Sequence, residues 1–161
     1  MGKPISIIMG SQSDLETVKE TVDLLKKFKA GFEVKVLSAH RTPKELTRYI
    51  EQATKKGAKV FIAAAGGAAA LAGVVASHTT LPVIGIPIET KSLKGMDSLL
   101  STVQMPSGIP VACMAIGKAG AKNAAIFALE ILAINNQKLK NKLLRYKQDT
   151  AGKIKKIKIK I

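Results

Sequence analysis

The stretch Phe32-Glu33-Val34-Lys35-Val36-Leu37-Ser38-Ala39-His40-Arg41-Thr42-Pro43-Lys44-Glu45 passes from an alternating, β-branched run through a short polar break into a helix start. Read as a strand over Phe32 to Leu37 and a helix over Pro43 to Lys56, it is one βα unit. Thr42-Pro43-Lys44-Glu45 opens a helix well by itself, with Thr42 as N-cap, Pro43 at N1 and Glu45 closing a capping box. That leaves His40 and Arg41 unexplained, since neither is needed to start a helix. A helix opening aims unpaired backbone N–H groups at a crevice, and Arg41 adds a planar fork of donors suited to phosphate or carboxylate. His40 adds a group able to move protons near neutral pH. Loops at the carboxyl ends of strands are where open α/β sheets bind ligands, so a functional site is expected here.

Outward from this unit the same alternation continues. Strands are expected over Ile5 to Met9, Lys59 to Ala65, Pro82 to Ile88 and Pro110 to Ile116, and helices over Leu15 to Phe28, Ala68 to Ser77, Asp97 to Val103 and Ala121 to Ile134. A βα unit repeated about five times is the pattern of a doubly wound parallel sheet. Right-handed crossovers put every βα loop on one edge of that sheet, so loops distant in sequence converge in space.

The chain has 161 residues, enough for one domain with a full core. Hydrophobic residues make up 47% and aromatics only 4%, a composition suited to a parallel sheet flanked by helices. A lone Cys113 excludes an internal disulfide framework, and the scarcity of His and Cys makes a metal site unexpected. The uncharged run Val60 to Ala76 approaches the length of a membrane span, but Gly66-Gly67 splits it into a strand and an Ala-rich helix. Met1-Gly2 with Ser6 matches a loose myristoylation pattern, yet a core strand from Ile5 would leave almost no free arm. No secretory signal is read at the start, and the expected location is the cytoplasm.

Formal net charge is +15, which ordinarily suggests nucleic acid. From Lys138 onward, however, ten Lys or Arg face one acid, Asp149, so this short tail carries most of the excess. It lacks the interleaved aromatics of a single-strand binding surface. Residues 1–135 are therefore expected to form the catalytic domain and 136–161 a basic C-terminal helical tail that binds neither nucleic acid nor membrane. Leu139, Leu143 and Tyr146 fall near helical spacing within Gln137 to Gln148, so the tail can dock on its own or a neighbouring subunit. A solvated helix with a loose, alternating end at Ile157 to Ile161 is the favoured expectation.

Three further loops offer candidate chemistry. Gly10-Ser11-Gln12-Ser13-Asp14 offers a flexible backbone, two hydroxyls and a carboxylate able to hold a phosphorylated ribose. Ser13 with Glu16 also reads as a capping box, which leaves Ser11 over. Neither a dinucleotide fingerprint nor a Walker sequence is present. Ala65-Gly66-Gly67-Ala68-Ala69-Ala70-Leu71 has no side chain able to do chemistry and reads as a wall that lets a ligand approach backbone N–H groups. The long polar segment from Glu89 to Gly108 reads as a lid or a subunit contact. His78, at the end of a helix and entering a strand, belongs to the opposite edge and is excluded from catalysis.

Taken together, Met9-Gly10-Ser11-Gln12-Ser13-Asp14, Ser38-Ala39-His40-Arg41-Thr42-Pro43, Ala65-Gly66-Gly67-Ala68-Ala69, Gly95-Met96-Asp97-Ser98-Leu99 and Val103-Gln104-Met105-Pro106-Ser107-Gly108-Ile109-Pro110-Val111 closely resemble the N5-carboxyaminoimidazole ribonucleotide mutase family of purine biosynthesis. The resemblance runs in order from about Ile5 to Ala133. It implies a flavodoxin-like α/β/α sandwich with a parallel sheet of about five strands, a C-terminal helical extension, a homo-octamer, and no metal or organic cofactor. It implies a ribonucleotide substrate held by Ser11, Ser13, Asp14, Ser38, Arg41, Gly66, Gly67, Ala68 and Leu71, with His40 as the catalytic proton shuttle. One departure stands out: the family continues its glycine-rich loop as Gly-Gly-Ala-Ala-His-Leu-Pro-Gly, whereas this chain has Ala70-Leu71-Ala72-Gly73. The alternatives are a sister carboxylase that uses CO2 directly, or a catalytically impaired nucleotide-binding relative. The sister branch usually has Lys after the catalytic His and Arg-Ser-Asn in the glycine-rich loop; here Arg41 and Gly67-Ala68-Ala69 stand in those places.

Overall fold

The computed structural model describes residues 3–159; the Met1-Gly2 motif and the last two residues of the alternating tail, Lys160 and Ile161, lie outside them. The elements are β1 (Ile5–Met9), α1 (Leu15–Phe28), β2 (Phe32–Val36), α2 (Pro43–Lys55), β3 (Val60–Ala65), α3 (Leu71–Ser77), β4 (Val83–Pro87), α4 (Met96–Val103), β5 (Ala112–Cys113), α5 (Gly117–Ala133) and α6 (Gln137–Lys155). All five strands are parallel, in the order β2-β1-β3-β4-β5. This is the flavodoxin-like doubly wound order, which reverses between β1 and β3 and so opens a crevice at their carboxyl ends.

Strand pleating sends neighbouring residues to opposite faces and builds two cores. Ile5, Ile7, Ile62 and Ile84 meet Val18 and Leu25 of α1 and Ala121, Ala125 and Ala128 of α5. Ile8, Phe61 and Ala63 meet Leu46 and Ile50 of α2 and Leu71 and Val75 of α3. Ser6, buried on the second face, is satisfied by Tyr49, whose hydroxyl also donates to Glu33 Oε1 at 2.9 Å. On the first face the alanines let α1 and α5 approach closely, and the fully buried Thr21 hydroxyl donates to the Ala121 carbonyl at 2.8 Å. Thr21→Val keeps the shape and removes the donor. It is expected to lower unfolding free energy by about 1 kcal/mol, read as a lower denaturant midpoint at unchanged slope.

Three elements within residues 1–135 differ by more than one residue from the sequence expectation, for identifiable reasons. β5 is two residues long rather than spanning Pro110 to Ile116. Pro110 has no N–H to give a ladder, and after Met114 N–H reaches the Gly85 carbonyl the chain leaves the sheet. α5 begins at Gly117, four residues before Ala121. Gly117 and Gly120 look like helix breakers in sequence; in space Gly120 lies against the Ala115 carbonyl, where a Cβ would fall 1.6 Å from the oxygen. α3 begins at Leu71 rather than Ala68, because Ala69 and Ala70 donate to Gly67 and Ala68 in two successive tight turns.

The capping expectations also change. Ser11, not Ser13, caps the first loop, with the box closed by Asp14, while Glu16 pairs with Lys118 at 2.6 Å. Thr42 does not cap α2 through its side chain. Its hydroxyl turns back to accept from Ser38 N–H at 2.9 Å and donate to the Ser38 carbonyl at 3.1 Å.

α6 runs seven residues beyond Gln148 and packs on its own chain. Leu143 is buried, Leu139 and Tyr146 join the α1/α5 core, and Tyr146 meets Phe28 edge-on with ring centroids 5.6 Å apart. The expectation of a merely solvated helix is therefore corrected over its first half, while the residues from Lys153 to Ile159 are exposed. No helix among the described residues is long and apolar enough to cross a membrane.

Candidate active site

The loops after β1, β2, β3 and β4 enclose a cavity of about 600 Å³ at the carboxyl edge of the sheet. The β2 loop is pinned on itself. Thr42 closes back on Ser38, and Arg41 N–H donates to Ser38 Oγ at 3.1 Å, so Ala39-His40-Arg41 projects as a short arch. His40 and Arg41 are both exposed at the cavity. The Arg41 guanidinium crosses to the β1 loop and donates from Nη2 to the Gly10 carbonyl at 3.0 Å. That contact ties two loops together, Nε reaches Ser38 Oγ at 3.5 Å, and Nη1 is left without a partner among the described residues.

In the β1 loop, Asp14 Oδ2 accepts from Ser11 N–H at 3.1 Å, and Ser13 Oγ sits 2.9 Å from Ser11 Oγ and 3.3 Å from Asp14 Oδ1. Burial pushes the Asp14 carboxyl above its ordinary range, opposed by the Ser11 N–H, the Ser13 hydroxyl and the charge of Arg41. Because the folded pKa lies above the unfolded one, folding favours protonated Asp14. The resulting penalty is absent below the unfolded pKa and complete above the folded one. Asp14→Asn keeps an acceptor for Ser11 N–H and removes the charge. Its melting temperature is expected to exceed wild type at pH 7 and to converge with it as pH falls through the carboxylate range.

The glycine-rich loop forms the floor. Gly66, Ala68, Ala70 and Leu71 line the cavity. Gly67 does not: at φ 70° it turns away, and its N–H donates to Ser98 Oγ at 3.0 Å. The buried Ser98 hydroxyl in turn donates to the Ile88 carbonyl at 2.7 Å, joining this loop to the one after β4. Of the ten residues singled out in the sequence, nine meet at the cavity and Gly67 stands behind its wall. Glu89, Thr90 and Lys91, read in the sequence only as part of a lid or subunit contact, form the fourth wall. The topology held the signal, since their loop follows a strand carboxyl end like the other three. His78 lines a separate depression at the opposite edge. Among the described residues no three His, Cys, Asp or Glu side chains are grouped to hold a metal ion.

The sequence matches the AIR carboxylase family over residues 4–153. The chain belongs to the AIR carboxylase family. It is 54% identical over 150 residues to the N5-carboxyaminoimidazole ribonucleotide mutase of Pyrococcus abyssi, covering 92% of this chain and 85% of that one. It is 53% identical over 146 residues to the protein of the same name in Bacillus subtilis, covering 91% and 90%. Among solved structures, PurE of Treponema denticola superposes with a TM-score of 0.85 at 28% identity, covering 93% of this chain and 92% of that one. This AIR carboxylase family member presents a single imidazole to its cavity among the described residues, that of His40, because position 70 is Ala.

Proposed function

We propose that the chain converts N5-carboxyaminoimidazole ribonucleotide to 4-carboxy-5-aminoimidazole ribonucleotide, a mutase step of purine biosynthesis. The observation that carries this reading is the meeting of His40 and Arg41 with Ser11 and Asp14 in one cavity, in a chain more than half identical to proteins of that name.

The reaction moves a carboxylate from the exocyclic nitrogen to ring carbon C4. Breaking the N–C bond releases CO2 and requires a proton at nitrogen; forming the C–C bond releases one proton from C4. His40 gives the first and takes the second, so one imidazole returns to its starting state with no net proton exchanged. Arg41 and the hydroxyls of Ser11, Ser13 and Ser38 hold the phosphate end. Asp14 accepts from a substrate N–H or O–H. Gly66, Ala68 and Leu71 let the ring approach closely and present no competing acid or base, which keeps water from the CO2. Gly67 acts through Ser98, by holding that wall in place.

In this reading residues 1–135 are the catalytic domain, residues 136–161 are the tail, and the working enzyme is a cytoplasmic homo-octamer acting on a small ribonucleotide. Met96, Leu100 and Val103 on α4, with Leu93 just before it, form an exposed apolar stripe that supports burial between copies. The test is turnover of freshly made N5-carboxyaminoimidazole ribonucleotide, followed by the ultraviolet absorbance of the C4-carboxylated product. Absence of product from a folded protein overturns the reading.

A further inference from the structure

We propose that Lys91 is a substrate-binding residue that pairs with the carboxylate of the substrate, opposite the phosphate held by Arg41. The assignment rests on the mutase reading and starts from a charge imbalance in the cavity. Its lining carries two carboxylates, Asp14 and Glu89, against one guanidinium, Arg41, unless Lys91 is counted. The substrate brings a phosphate and a carboxylate into that space. One cation engaged at the phosphate leaves the carboxylate facing acids, and like charges in a confined site are costly.

Position separates the two cations. The Arg41 guanidinium lies over the β1 loop through its contact with Gly10, whereas Lys91 follows β4. β1 and β4 are separated by β3 alone, so the strand ends that carry the two loops stand roughly 10 Å apart, about two strand spacings. That matches the length of a ribose carrying a five-membered ring, with phosphate at one end and carboxylate at the other.

The residue before Lys91 is held in place from α4 and the turn that leads into it. Thr90 Oγ1 lies 2.8 and 3.0 Å from the two carboxylate oxygens of Asp97 and accepts from Gly95 N–H at 3.3 Å. The ammonium itself takes part in none of the ion pairs found among the described residues. An unengaged charge next to an anchored threonine at a cavity wall suits capture of an anion.

The test compares two ligands that differ by one carboxylate: 4-carboxy-5-aminoimidazole ribonucleotide and 5-aminoimidazole ribonucleotide. Affinities are measured by titration calorimetry for wild type, Lys91→Met and Lys91→Arg, with melting curves as a fold control. Lys91→Met is expected to weaken the carboxylated ligand on the order of ten- to a hundredfold, the scale of one charge-assisted hydrogen bond. The uncarboxylated ligand should change less than about twofold, and Lys91→Arg should restore most of the difference. Equal weakening of both ligands, or no weakening of either, overturns the assignment. Wild-type protein that binds neither overturns the mutase reading and the assignment with it.

Discussion

His40→Asn is expected to lower kcat by at least about 10²- to 10⁴-fold, with binding of 5-aminoimidazole ribonucleotide changed less than about threefold. Asn preserves a polar, hydrogen-bonding side chain of similar reach and cannot carry a proton between nitrogen and C4. The loss falls on turnover rather than affinity because the phosphate contacts assigned to Arg41, Ser11, Ser13 and Ser38 remain. Position 70 is Ala, so no second imidazole lines the cavity among the described residues to take over the transfer. Initial rates and calorimetry on the same preparation separate the two effects. A variant with near wild-type kcat removes His40 from the proton path and with it the one-imidazole mechanism.

Gly120→Ala should be among the most destabilising single substitutions in the chain. Helix propensity alone favours Ala over Gly by about 1 kcal/mol. Packing opposes it: an added Cβ meets the Ala115 carbonyl oxygen at 1.6 Å and its carbon at 2.6 Å, and both are backbone atoms. No rotamer change relieves that contact, so α5 must shift off the strand end. The expected net loss is about 3 kcal/mol, the upper range for overpacking. Gly152→Ala is the control, because a Cβ there meets nothing within 4 Å and α6 should gain a few tenths of a kcal/mol. Denaturant midpoints of both variants decide the matter; a Gly120→Ala protein as stable as wild type would mean that the α5 start is loosely packed.

The contrast between these glycines also marks where sequence reading reaches its limit. β1 and α1 were legible to the residue because an apolar strand, a polar break and a 3.6-residue period follow one another without ambiguity. The start of α5 was not, since Gly117 and Gly120 weaken the helical pattern: Gly117 supplies a left-handed backbone at φ 72°, and Gly120 a close approach to the Ala115 carbonyl five positions earlier. The caps slipped by a few residues for a related reason. Ser11 and Ser13 are equally good cap residues, and only the loop geometry selects Ser11. In the site, His40 and Arg41 stood out because neither is needed to start a helix. Glu89 and Lys91 resemble any polar loop residues until the sheet order brings them across from Arg41.

Ser98 gives the cavity a mechanical property. One buried hydroxyl holds the glycine-rich loop through Gly67 and the β4 loop through Ile88, so two of the four walls share a single joint on α4. The opposite flank of that helix exposes Met96, Leu100 and Val103. A copy of the chain seated on this flank would press on a lever whose short arm is the cavity, and assembly and cavity width would then be set by the same eight-residue helix.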